Sequence, residues 1–245
     1  RNLEVRDGAV RNWGSDGVDF FTVNAVNCLI RNVRADGNAG WGITPGDGST
    51  ISGCTASNNT SNGMTAKDGS TIVGCTAFAN GGAGIASGVG CTISNCSASS
   101  NDAIGYLAGG GTTIMNCTAR SNTSGGFSTG DSCTISSCST SNNGGAGLSA
   151  GNTCTILGCS AVANNGNGFV VLSTALVADC ISQGNMLDGI QCSGRCIIRG
   201  NTCSANGNGG DGAGVHVTLS GGDCRIESNN CSGADRGIDV DSSGN

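Results

Sequence analysis

Proline, lysine and histidine each occur once among 245 residues, aromatic side chains make up 3% of the chain and charged ones 11%. Each scarcity excludes something. A single proline removes collagen and proline-rich linkers. The net charge is −6, and the 11 Lys and Arg residues are scattered rather than gathered into a basic stripe, which excludes nucleic acid as a partner. No apolar run approaches the roughly 20 residues of a membrane span. No secretory leader is recognisable and the first residue is not Met, so the chain is expected to be a processed or excised piece of a longer one.

Glycine, by contrast, contributes 45 residues. With abundant Ser and Asn this is a composition of disordered chains, yet the apolar residues keep a fixed phase that disorder has no reason to keep. Steps of 21 from Ile30 reach Ile51, Ile72, Ile93, Ile114, Ile135, Ile156, Val177 and Ile198. The same step links Asn38, Asn59, Asn80, Asn101, Asn122, Asn143, Asn164, Asn185 and Asn206, and also Cys54, Cys75, Cys96, Cys117, Cys138, Cys159 and Cys180. Such self-similarity means stacked units, each too small to bury its own apolar face. One domain spanning residues 1–245 is expected.

Residues 70–90 show one unit. Ser70-Thr71-Ile72, Cys75-Thr76-Ala77 and Gly84-Ile85-Ala86-Ser87 alternate inward and outward with the period of a strand. Runs this short can pair only with their equivalents one repeat away, parallel and in register, at about 4.8 Å. The pattern predicts an all-β, single-chain parallel β-solenoid of about eleven coils and three short parallel sheets, a rod on the order of 50 Å long. Right-handedness follows from the general crossover preference. The first step is 25 residues and the last 28, placing insertions near residues 19–27 and 208–214. A glycine ladder (Gly42, Gly63, Gly84 and onward) precedes inward residues such as Ile43, Met64 and Ile85, and is expected to supply backbone angles other residues avoid. Stacked Asn at the opposite corner is expected to hydrogen-bond along the rod.

The Asn-cornered, Gly-punctuated repeat over residues 3–240 resembles the right-handed parallel β-helix repeat family, the group of pectate lyases, polygalacturonases and alginate epimerases. The resemblance implies the fold; on that fold sit enzymes, adhesins and phage spikes alike. It also implies that an enzyme would work in a groove along one sheet. The Asn-Thr-Asp, Asp-Asp and Gly-His-Gly signatures of polygalacturonase-like members are absent. His216, in Val215-His216-Val217, reads as an outward, solvent-facing residue. Pectate-lyase-like members need acids for calcium and an Arg base. Asp16, Asp19 and Asp36 on the first coils, with Arg34 and also Arg11 and Arg31 nearby, are the best catalytic candidates on this pattern. The simpler reading is charge on an irregular end coil. Asp211, Asp223, Glu227, Asp235, Asp239 and Asp241 offer further oxygen ligands to calcium, against the simpler reading of a solvated acidic end. No other cofactor is expected.

The cysteine ladder has three readings. A straight line of thiols does not supply zinc with a tetrahedron, and disulfides between rungs demand a closer approach than in-register strands give. The reading preferred is a small, polarizable core residue stacked on itself, with Cys192 and Cys196 the pair to inspect. An outward row, Thr50, Thr71, Thr92, Thr113, Thr134 and Thr155, is similar to the flat arrays of ice-binding solenoids, although Thr is also simply favoured in strands.

The function expected is that of an extracellular or cell-surface structural or adhesive rod. No cap-like segment stands at either end, so copies are expected to stack head to tail into a fibre. The alternatives are a lyase, hydrolase or epimerase acting on a uronate polysaccharide, and ice binding through the threonines.

Overall fold

The structure, a computed structural model, describes residues 2–20, 25–208, 210–218 and 223–241. Parts of both expected insertions, and residues 1 and 242–245 at the ends where stacking is expected, lie outside the described residues. Among those described, every regular element is a strand and all pairings are parallel.

Each central coil contributes three strands of three residues, as in Thr71–Val73, Thr76–Phe78 and Ile85–Ser87. Each strand pairs in register with its equivalents on both neighbouring coils: Ile93 lies between Ile72 and Ile114. The third strands form a sheet of 11, one per coil, which gives the coil count. The first two sets of strands, expected as separate sheets, are joined into one of 20 strands. The joint is Leu29–Asp36, a single strand of 8 residues that pairs with both Thr50–Ser52 and Thr55–Ser57.

Alternation decides what is buried. Ile51, Ile72, Ile93, Ile114, Ile135 and Ile156 are fully inaccessible, and so are Ala56, Ala77 and Ala98 on the adjoining strands. The third strands turn in the larger side chains, including Met64, Tyr106, Phe127 and Phe169, and the rings of Tyr106 and Phe127 stack with centroids 4.5 Å apart. Isoleucines on one side, alanines on the next and the larger side chains on the third fill a narrow triangular section.

The Asn column is continuous. Each side-chain amide donates to the Oδ1 of the Asn one coil on, at 2.8 Å for Asn38–Asn59 and 3.0 Å for Asn122–Asn143. The same amide reaches a strand carbonyl, as Asn80 does to Ala56 at 3.0 Å. The Oδ1 also takes a backbone N–H, such as that of Asn101 to Asn122 at 3.1 Å. A buried corner that no strand can satisfy is thereby satisfied.

The glycine ladder has a different cause from the one expected. Left-handed backbone angles occur in three other corner columns, and Asn32, Asn95, Ser137 and Asp179 hold them as readily as Gly53 and Gly158. Gly42, Gly63, Gly84 and Gly105 are required for space: a Cβ at Gly84 would lie 2.7 Å from Asn101 Nδ2 and 2.8 Å from the Gly105 carbonyl oxygen. Close approach, not conformation, selects glycine there.

Candidate functional site

The outward row of the 11-stranded sheet runs Ala86, Leu107, Ser128, Ser149, Val170, Gln191, His216, Asp239, each in register with the next. It is small or apolar from Ala86 to Val170 and abruptly polar from Gln191; before Ala86 the same row runs back through Thr65 and Thr44 to Asp19. His216 lies on Ala213–Val217, between the buried Val215 and Val217, so alternation turns the imidazole out of the core.

Outward does not mean into bulk water. The His216 side chain is only 20% exposed. Its Nδ1 lies 2.8 Å from Asp188 Oδ2 on the preceding coil and its Nε2 3.2 Å from Asp241 Oδ1 on the following one. Asp188 is itself fixed. Its Oδ1 accepts the Ala213 N–H at 2.8 Å, and its own N–H donates to Asn167 Oδ1 at 2.8 Å. Asn167 in turn donates to Gln191 Oε1 at 3.0 Å. Arg236 bonds Asp239 and lies 3.5 Å from Asp211. Together these groups line a recess of about 230 Å³.

Burial alone would lower the His216 pKa, but hydrogen bonds to Asp188 and Asp241 outweigh it, and the net shift is upward. The shift is toward the protonated form, in which both ring N–H groups donate to carboxylates. A cationic acid held between two coils can pass a proton to an oxygen that displaces the more exposed partner, Asp241. His216, Asp239 and Asp241 also bring ligand atoms within 4.8 Å of one another, a set suited to a divalent cation.

The residues singled out from sequence are distributed differently. Asp16 accepts the Trp41 N–H at 2.7 Å at a corner between coils, the part Asn62, Asn167 and Asp188 play elsewhere in the same corner column. Asp19 pairs with Thr44 in the 11-stranded sheet. Asp36 ends a strand of the other sheet, where Ser57 and Asn58 donate to it at 2.8 and 2.9 Å and Arg34 stands 3.4 Å away. The bond from Asn58, then that from Ser57, lowers the Asp36 pKa. Among the described residues, Asp16, Asp19 and Asp36 form no converging group. His216, read from sequence as solvent-facing, instead lines a polar recess between two aspartates. Extending the glycine ladder through Gly189, Gly214 and Gly237 would have set Gln191, His216 and Asp239 on successive rungs.

The threonine row from Thr50 to Thr155 is in register and continues into Leu176 and Ile197. No disulfide links the described cysteines. The ladder thiols are buried and donate to carbonyls, as Cys117 Sγ does to Met115 O at 3.2 Å. Burial raises the pKa of Cys91 and of Cys203. Away from the column, the sulfurs of Cys192, Cys196 and Cys224 lie within 4.8 Å of one another.

The sequence model of the family described as "right handed beta helix region" matches residues 1–114 and 86–177. The chain belongs to the right-handed β-helix family. Among solved structures, the β-helix is similar to the A-module of the Azotobacter vinelandii mannuronan C-5 epimerase AlgE4, with 17% identity and a TM-score of 0.58. That match covers 89% of this chain and 65% of the module, so the chain spans just under two thirds of it. The AlgE6 A-module of the same organism gives 13% identity and a TM-score of 0.61, with coverages of 90% and 82%. Pectate lyase Pel9A gives 15% identity and a TM-score of 0.57, with coverages of 91% and 69%. At these identities the likeness is one of fold. Among curated proteins none matches the chain by sequence.

Proposed function

We propose that this β-helix is an extracellular or cell-surface protein that binds and cleaves a hydroxyl-rich polysaccharide in the His216 recess, the central coils serving as a rigid spacer. The observation that carries the reading is one histidine held by carboxylates from both flanking coils, at the polar end of a flat outward row. A polymer lying along that row meets small and apolar side chains from Ala86 to Val170 and then Gln191, His216 and Asp239. In the proposed step a glycosidic oxygen takes the place of Asp241 at Nε2 and receives its proton as its bond to the anomeric carbon breaks. A water adds to that carbon and gives its proton to the released Asp241 carboxylate, while Asp188 holds Nδ1 and the orientation of the ring.

The charge of the recess narrows the substrate. Among the described residues, the charged side chains lining the recess are Asp188, Asp211, Asp239 and Asp241 against Arg236 and His216, so this lining is net negative even with the histidine protonated. It repels a bare polyuronate and offers acceptors to the hydroxyls of a neutral sugar. The fold relatives named as epimerase and lyase support carbohydrate as the substrate class and nothing finer.

The test is a panel of neutral and uronate polysaccharides, scored for binding and for new reducing ends, with wild type, His216→Gln and Asp241→Asn. Wild-type cleavage of a neutral polymer, abolished by His216→Gln with an unchanged circular dichroism spectrum, supports the reading. Equal binding and cleavage by His216→Gln, or no action on any polymer, overturns it.

A further inference from the structure

The cysteines of this chain form columns, and a column alone cannot enclose an ion. One corner breaks that rule. Cys192 ends the strand Ile190–Cys192, at a position where the other coils carry Ala66, Ser87, Ala108, Thr129, Ala150, Val171 and Val217. Across the corner stands Cys196, and Cys224 lies directly over Cys196, as the 2.9 Å bond from Arg225 N to Cys196 O shows. The third thiol enters from the side and turns a line into a triangle whose sulfurs are all within 4.8 Å.

We propose that Cys192, Cys196 and Cys224 form a three-thiolate site for a soft, thiophilic d¹⁰ metal ion, specifically Cu(I). Metal–sulfur bonds of about 2.3 Å in a trigonal plane place the sulfurs about 4.0 Å apart, so closing the triangle takes less than about 1 Å of movement. Among the described residues this group of metal-ligating side chains has three members and no fourth. That number falls short of the four donors of a structural zinc site and suits an ion content with low coordination. Thiolate donors select copper in its reduced state over harder ions. Cys192 and Cys196 are fully buried and Cys224 is half-buried, which gives the ion an approach from one side and shelter on the others. In the metal-free form the Cys196 thiol donates to Leu172 O at 3.0 Å and to Gly194 O at 3.2 Å; binding replaces those bonds and releases the protons.

The experiment titrates the reduced full-length chain with Cu(I), delivered anaerobically as its acetonitrile complex against a chromogenic Cu(I) chelator. Wild type, Cys192→Ala and Cys133→Ala are compared. Alanine at 192 is what other coils already carry, so folding is expected to survive; should it not, Cys224→Ala takes its place. The expected result is one equivalent lost from Cys192→Ala and none from Cys133→Ala, with only sulfur at about 2.3 Å in the X-ray absorption spectrum of the wild-type complex. Equal stoichiometry in wild type and Cys192→Ala overturns the site. So does a Cys192–Cys196 disulfide found by peptide mass spectrometry in protein purified without oxidant.

Discussion

Gly105 and Asn122 occupy one space: a Cβ on Gly105 would lie 2.8 Å from Asn122 Nδ2 of the next coil and 2.7 Å from the Gly126 carbonyl oxygen. The two ladders share a period because each glycine is hollowed out for the asparagine that follows it. Gly105→Ala is therefore expected to lower stability by about 2 kcal/mol, a typical cost of overpacking. Gly14→Ala is the control, since nothing lies within 4 Å of its added Cβ. Urea midpoints that fall equally for both variants would refute the steric account.

Removing the asparagine tests the other half. Asn122 Nδ2 donates to Ala98 O at 3.2 Å and Asn143 Oδ1 at 3.0 Å, and its Oδ1 receives two donors from Asn101. Asn122→Ala strands all of these groups away from water and is expected to cost about 3 kcal/mol. Asn122→Asp, which cannot donate when ionised, is expected to be worse at neutral pH and to recover partly in acid. Hydrogen exchange at the Asn101 amide locates the damage. Unchanged protection there would contradict the column's role.

The single histidine makes the recess easy to titrate. Its folded pKa is raised, so the stabilisation from its carboxylate partners is fully present below the unfolded value of about 6.5 and is lost as pH rises through the folded value. The Cε1 proton resonance of His216 is expected to titrate above about 6.5 in wild type and to move back down in Asp188→Asn. A wild-type midpoint at or below that value would remove the proposed acid from the recess.

Thiol accessibility follows from position. Cys224 and Cys231 are half-buried and the other 14 cysteines are buried. Under native, reducing-agent-free conditions a chromogenic disulfide reagent is expected to label those two within minutes and the rest only on unfolding. Rapid reaction of Cys117 or Cys138, read by peptide mapping, would show that the core is not packed as described.

The repeat made the fold legible. A 21-residue period carrying Ile, Cys and Asn at fixed phase leaves few ways to bury Ile72 other than against Ile51 and Ile93. What the period hid was the reason behind individual residues. Gly84 looked like a conformational device and is a steric one, because close approach between coils is a property of the stack and not of the local chain. The recess was illegible for a related reason. Asp188, His216 and Asp241 are separated by 28 and 25 residues, beyond the stretch where the period is strict, so counting by 21 never places them together. Asp16, Asp19 and Asp36, being close in the chain, looked more convergent than they are.

From Asn38 to Asn185 the amides of the asparagine file point one way, each donating to the Oδ1 of the asparagine on its C-terminal side. Their dipoles add along the axis, giving the molecule an internal arrow. An in-frame duplication of one unit prolongs that arrow at no electrostatic cost, whereas a unit inserted in reverse would set two carbonyls, or two NH₂ groups, face to face. Growth in whole steps and in a single sense is thus written into a buried column of side chains.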